Sequence, residues 1–225
     1  WRGTFYPEKF PAGKMFDYYA ERFTTVEINA TFYRMPTTKT TAGWRDQAPD
    51  GFLYTLKAPR RITHDTRLKD CQDSVDFFCD SAKGLEDNLG VLLFQLPPNF
   101  KCDIDRLRTF LGWLPAMRSA FEFRHESWLN DDVHALLRER GAALCIADFG
   151  DKTTPVVATA RHGYLRLRDE GYTPPDLERW AEALLDRQDA WDEAFVYFKH
   201  EDEGKGPEFA KVFSEILTRR GATIV

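Results

Sequence analysis

The chain is poor in the features that mark several whole classes of protein. Only four of its 225 residues are cysteines, Cys71, Cys79, Cys102 and Cys145. They have neither CxxC spacing nor the density of a disulfide framework, so reduced thiols and a cytoplasmic setting are expected. No stretch approaches the roughly 20 apolar residues of a membrane span, and no signal-peptide pattern opens the chain, so no membrane partner is expected. Basic charge is not in excess either: 31 Lys and Arg stand against 36 Asp and Glu, a formal net charge of −5. That balance argues against a protein that coats nucleic acid, but not against a local basic cleft. No GxGxxG or Walker sequence marks a nucleotide site. Asp148-Phe149-Gly150 matches the kinase DFG as letters only, with no glycine-rich loop or HRD beside it. With no repeat, low-complexity tract or linker, a single domain over residues 1–225 is expected, long enough for a substantial core.

What the chain does have is regular alternation of strand and helix signals. Strands are expected over Thr24–Phe32, Phe52–Ala58, Leu89–Leu96, Ala120–Trp128, Ala142–Asp148, Gly163–Arg168 and Glu193–His200. Helical spacing of apolar residues marks Lys14–Phe23, Thr37–Ala48, Cys71–Leu85, a helix capped by Asp103, a helix from Asn130 to Arg140 stopped by Gly141, one through Leu177 and Leu185, and a terminal helix opened by Pro207. A short helix is expected in the irregular piece after Asp148. Seven strands separated by crossovers fit either a doubly wound sheet or a TIM-type (β/α)8 barrel. Polar residues recur at the C-terminal ends of nearly all the strands, which favours the barrel. Its eighth strand is expected ahead of Trp1.

The stretch AFEFRHESW, Ala120 to Trp128, is the most telling. Phe121 and Phe123 occupy one face while Glu122 and Arg124 occupy the other. In a sheet buried on both faces such charges are costly unless paired or used.

Several segments together resemble one family: WRGTFYPEKFP, YYAERFTTVEINATFYRMP, FLYTLKAPRRITH, LGVLLFQLPPNF, FEFRHESW and YFKHEDEGKGP. In this order they are similar to the YecE-like family, domain-of-unknown-function family seventy-two, over nearly the whole chain. The resemblance implies a TIM-type barrel and a strand with a Gly/Ser/Trp-containing turn before the WRGxFYP motif. It implies no established activity, and kinship in fold with apurinic endonucleases and sugar isomerases is an analogy.

By strand alternation Glu27, Asn29, Lys57, Gln95, Glu122, Arg124, Asp148, Arg166 and Lys199 end near the mouth of such a barrel. Cations and carboxylates converging there suit substrate binding and proton transfer. The competing reading is a plug of mutually satisfied ion pairs that does no chemistry. Glu122 is the expected general acid or base, with Asp148 or Glu27. Because cations crowd it, a base or ligand-orienting carboxylate is expected rather than a neutral acid. Lys57, Arg60, Arg124 and Arg166 are expected to hold an anion. The basic loop Pro59–Lys69 adds Arg60, Arg61 and His64 as candidate clamps. Tyr33 and Trp128 are candidates to stack on a ring, and His125 lies on a top loop. Glu201–Pro207 reads as an ordinary turn into a helix more than as a phosphate cradle. A metal site built from Glu27, Glu122, Asp148, His125 and His200 is disfavoured because Lys57, Arg124 and Arg166 would repel a cation; no metal or cofactor is expected. The expected function is an enzyme acting on a phosphorylated or carboxylated small molecule, working as a monomer. A nucleic-acid binder or phosphodiesterase using the same cleft and a non-catalytic ligand-binding scaffold are the alternatives.

Overall fold

The computed structural model of the chain describes residues 1–149, 152–169, 171–199 and 204–224. Seven parallel strands curl into a nearly closed barrel: β1 (Thr25–Ile28), β2 (Leu53–Lys57), β3 (Leu89–Gln95), β4 (Ser119–Glu122), β5 (Ala143–Phe149), β7 (His162–Leu167) and β8 (Glu193–Phe198). A two-residue strand, β6 (Lys152–Thr153), folds back antiparallel on β5. Hydrogen-bonded order follows the chain from β1 to β8, and those two strands bound a seam in the wall. The flanking helices are α1 (Met15–Ala20), α2 (Ala30–Tyr33), α3 (Thr38–Arg45), α4 (Gln72–Ala82), α5 (Ile104–Trp113), α6 (Asp131–Arg140), α7 (Pro174–Leu185) and α8 (Lys205–Arg219). No helix among the described residues is long and apolar enough to cross a membrane.

The near-continuous apolar strands follow from burial on both faces. One row fills the barrel interior, where Val91, Leu93, Ala120, Ala143, Cys145, Tyr164, Phe195 and Tyr197 pack together. Small residues on β4 and β5 complement large aromatics on β7 and β8 in this row. The other row meets the helices. Phe94 and Phe121 stack 5.2 Å apart on the outer wall, and Phe123 stacks on Trp128 at 4.8 Å. The expected caps are present. The Asp103 carboxylate accepts from Arg106 N at 3.0 Å and the Asn130 side chain from Val133 N at 3.0 Å, while Gly141 ends α6 at φ 62°.

Three elements differ from expectation. The strand from Thr24 stops at Ile28. Ala30–Tyr33 turns into α2 because the Thr31 hydroxyl, placed to donate to Ile28 O (2.9 Å) and Lys57 O (2.6 Å), folds the chain over the end of β2. The AFEFRHESW strand ends at Glu122, and Glu126–Trp128 is a 3-10 turn. No helix lies in the described part of the piece after Asp148; β6 and an irregular segment occupy residues 152–161.

Candidate functional site

Strand alternation determines which charges enter the barrel. Inward parity on β1, β4 and β7 carries Glu27, Glu122 and Arg166 above the apolar interior row. Arg166 is completely buried, and its guanidinium bridges both carboxylates: Nε and Nη2 donate to Glu27 at 2.9 and 2.7 Å, and Nη1 donates to Glu122. Gln95, aligned with Glu122 across the β3–β4 ladder, donates to it at 2.8 Å, and Tyr164 Oη donates to Glu27 at 2.7 Å. This Glu–Arg–Glu layer is a floor with its hydrogen bonds taken up.

Above the floor the residues are cationic. Arg124 Nε donates to Glu122 at 3.0 Å and Arg168 lies 3.7 Å from the same carboxylate, while Lys199 lies 4.0 Å from Glu27. Their side chains remain 31%, 20% and 12% exposed. Lys57 ends β2 with its ammonium 4.2 Å from the centre of the Phe32 ring. The His64 ring meets the same phenyl edge-on at 4.9 Å, and its Nδ1 shares a 2.9 Å hydrogen bond with Thr63 Oγ1. Among the described residues, Lys57, Arg124, Arg166, Arg168 and Lys199 gather around the carboxylates of Glu27 and Glu122.

This arrangement fixes the proton chemistry. Burial alone would raise the Glu122 carboxyl, but Arg166, Arg124 and Arg168 together outweigh it and hold it at about 2. Glu27 is lowered for the same reason, its burial overcome by Arg166 and Lys199. Both are therefore permanent anions near neutrality and poor bases. Lys57 moves the opposite way: burial, followed by the Arg166 charge, brings its amine down to about 8. Burial and the charge of Lys57 also depress His64. Glu122 and Glu27 thus do not fit the base role expected of them, and in this cluster it is the Lys57 amine that is brought toward neutrality.

The Lys57 shift has a measurable consequence. Between about 8 and 10.5 the unfolded chain keeps a proton that the folded chain has released, so the parent gains stability as pH rises across that window. Lys57→Met has nothing to titrate. It is expected to be more stable than the parent near pH 7 and to lose that advantage by about pH 10, as read by chemical denaturation at the two values.

Several expected site residues lie elsewhere or serve other ends. Asp148 is not at the mouth. Ala143, Cys145 and Ala147 form the inner row of β5, so Asp148 has outward parity, where it accepts from Arg168 N at 2.6 Å and from Tyr172 Oη. Trp128 is fully buried on Phe123 and donates its indole N–H to Phe100 O at 2.7 Å, so it cannot stack on a ligand. His125 accepts from Ser127 N through Nδ1 at 3.2 Å, capping a turn. Arg166 and Gln95 belong to the floor and are covered from above, which removes them as direct anion ligands. Arg60 is an exposed rim residue paired with Asp65 at 3.1 Å, and Arg61 opens a π-helical turn beside it. Tyr33, 83% exposed, packs edge-on against Phe32 at the rim. Asn29, with Glu27 and Lys199, borders a cavity of about 460 Å³ at the β1–β8 seam. His200 and Glu201–Glu203 lie outside the described residues. Among the described residues no three His, Cys, Asp or Glu side chains converge as a metal site would require. Arg168 and Tyr164 went unread in the sequence, although GYLRLR places both on the inward row with Arg166.

The comparisons agree with this architecture. The model of the family described as "Protein of unknown function DUF72" matches residues 1–224. The UPF0759 protein YunF of Bacillus subtilis is 24% identical over 255 residues, covering 95% of this chain and 90% of that protein. The UPF0759 protein YecE of Escherichia coli K12 is 32% identical over 155 residues, covering 64% of this chain and 54% of that protein. Among solved structures, a DUF72 family protein from Thermotoga maritima superposes with a TM-score of 0.83 at 24% identity, covering 97% of this chain and 94% of that one. Another from Enterococcus faecalis gives 0.79 at 20% identity, with 92% and 94% covered. With a barrel of this form and a family match running from Trp1 almost to its last residue, the chain belongs to the DUF72 family.

Proposed function

We propose that the protein is an enzyme whose barrel mouth binds an anionic small molecule, phosphorylated or carboxylated, and that Lys57 and His64 handle its protons. One observation carries this reading. The carboxylates of Glu27 and Glu122 are spent on the buried floor, while Arg124 stands above it partly exposed and Lys57, at the end of β2, makes no ion pair among the described residues. A cluster that served only to pair charges would have no use for such a lysine. In a confined mouth with low-dielectric walls, these cations draw an anion and orient it through a guanidinium fork. The floor then acts by positioning, because ionised Glu122 holds Arg124 and Arg168 in place.

Thermal unfolding in rising inorganic phosphate, and in a panel of small carboxylates, tests the reading. A ligand present at about a hundred times its Kd stabilises by about 2.7 kcal/mol, which lifts Tm by several degrees in a chain of this size. That rise is expected for the parent and is expected to be lost in Arg124→Ala/Arg168→Ala. A parent that responds to none of these anions refutes the proposal. The second reading, a single-stranded nucleic-acid binder, rests on Tyr33, an exposed ring beside Arg34 on the same rim. It requires affinity that falls steeply with salt and depends on Tyr33.

A further inference from the structure

We infer that Lys57 is a carbonyl-capturing amine, and that the molecule bound at the mouth is an aldehyde or ketone carrying a carboxylate or phosphate, held covalently as an imine. The inference rests on the anion-binding reading above and adds the chemical class of the substrate.

The geometry comes first. Lys57 is the last residue of β2, and its backbone is held on two sides: its carbonyl accepts from Thr31 Oγ1 at 2.6 Å, and the next amide, Ala58 N, donates to Leu93 O at 2.8 Å. Its side chain shares the inward parity of Thr55 and Leu53 and rises into the cationic layer. Among the described residues it makes no ion pair, because Glu27 and Glu122 are already engaged by arginines. Its Nζ rests on the apolar Phe32 ring, and His64 touches the same ring. A lysine needed only for charge gains most beside a carboxylate. This one stands on a phenyl face, partly desolvated, among guanidiniums that can hold the anionic end of a bound molecule. Such surroundings activate an amine as a nucleophile. In keeping with them, the amine sits at about 8, so roughly a tenth of it is neutral near pH 7.

The step balances without an oxidant or reductant. The Nζ lone pair of neutral Lys57 forms a bond to the carbonyl carbon, and the C=O π pair moves to oxygen, which takes up a proton. Nζ gives up a proton, for which the neutral His64 imidazole is the nearby acceptor. The hydroxyl of the resulting carbinolamine then leaves as water, taking a proton as it goes, while the nitrogen lone pair closes the C=N bond. Amine and carbonyl thus give imine and water. The protonated imine withdraws electrons from the adjacent carbon, which opens proton abstraction or carbon–carbon cleavage beside the former carbonyl.

Reductive trapping tests this. The full chain is incubated near pH 7.5 with glyoxylate, and separately with pyridoxal 5′-phosphate, then reduced with borohydride and mapped by peptide mass. The expected result is one adduct on Lys57, enriched at least about tenfold over surface lysines and suppressed by excess inorganic phosphate. Trapping by only one probe assigns the anion as carboxylate or phosphate. Lys57→Arg keeps the charge but cannot form an imine and is expected to lose the adduct, whereas Lys211→Arg, on the exposed side of α8, is expected to keep both the adduct and the phosphate-dependent rise in Tm. Adducts spread evenly over surface lysines, with that rise intact, overturn this inference and leave the anion reading standing. A Lys57 adduct indifferent to phosphate also overturns it. No preferential adduct together with no thermal response to phosphate rejects both.

Discussion

Arg166→Met is expected to destabilise the protein by about 3 to 5 kcal/mol and to lower Tm by about 10 °C. The guanidinium is wholly buried between Glu27 and Glu122, donating twice to one and once to the other. Removing it leaves two carboxylates out of water and facing each other across a low-dielectric interior. The penalty is that of uncompensated buried charge, more than of lost packing, since Met fills much of the same volume. The origin can be separated from packing by adding Glu27→Gln and Glu122→Gln in the same chain. With the charges gone together, a large part of the lost stability is expected to return, because Gln accepts from Tyr164 and Gln95 as Glu did. Differential scanning calorimetry of the parent, the single variant and the triple variant decides the point. A triple variant no more stable than Arg166→Met would show that shape, not charge, governs this layer.

Acid should remove the same support from the opposite side. Glu122 titrates at about 2 in the folded protein against 4.5 when unfolded. Between those values the unfolded chain binds the extra proton, so stability rises with pH there; the contribution is complete above about 4.5 and disappears as pH falls through about 2. That separation corresponds to about 3 kcal/mol. Glu122→Gln is therefore expected to be less stable than the parent by about that amount near pH 7, with the gap closing toward zero near pH 2. Denaturant midpoints of the two proteins along a pH series measure it. A gap that stays constant down to pH 2 would mean that the arginines do not depress this carboxyl.

The fold was legible because its strands carry their own punctuation. LGVLLFQL ending at Pro97-Pro98 can be little other than a buried strand, and Asp103, Asn130 and Gly141 mark helix ends that are formed as their chemistry requires. The family motifs and the strand-helix rhythm converged on one barrel. The site was legible only in part, for physical reasons. Alternation assigns a face when the two faces differ, as in FEFR, where phenyl and charge declare themselves. AALCIAD is apolar on both faces, so nothing in it revealed that Ala147, and not Asp148, points inward. Alternation also stops where a strand stops. His125 and Trp128 follow the end of β4, where a cap and an outer-wall ring replaced the expected mouth residues. Depth is the third missing quantity. Glu122 and Arg166 were correctly brought together, but the sequence does not say that they lie a layer below Arg124 and Arg168, which is the difference between a floor and a binding surface. Arg168 was readable, two residues beyond Arg166 on the same row.

The seam between β1 and β8 has a mechanical consequence. Six backbone ladders join neighbouring parallel strands around the wall. Among the described residues, side chains reach across the seam: Tyr197 Oη lies 2.7 Å from Thr25 Oγ1, and Glu27 on β1 is gripped by Arg166 and approached by Lys199. These side chains do along this line what backbone ladders do elsewhere in the wall. Glu27 sits on it and is also part of the floor. The separation of β1 from β7 and the spacing of the charges at the mouth are thus one variable, since a movement of Glu27 changes both.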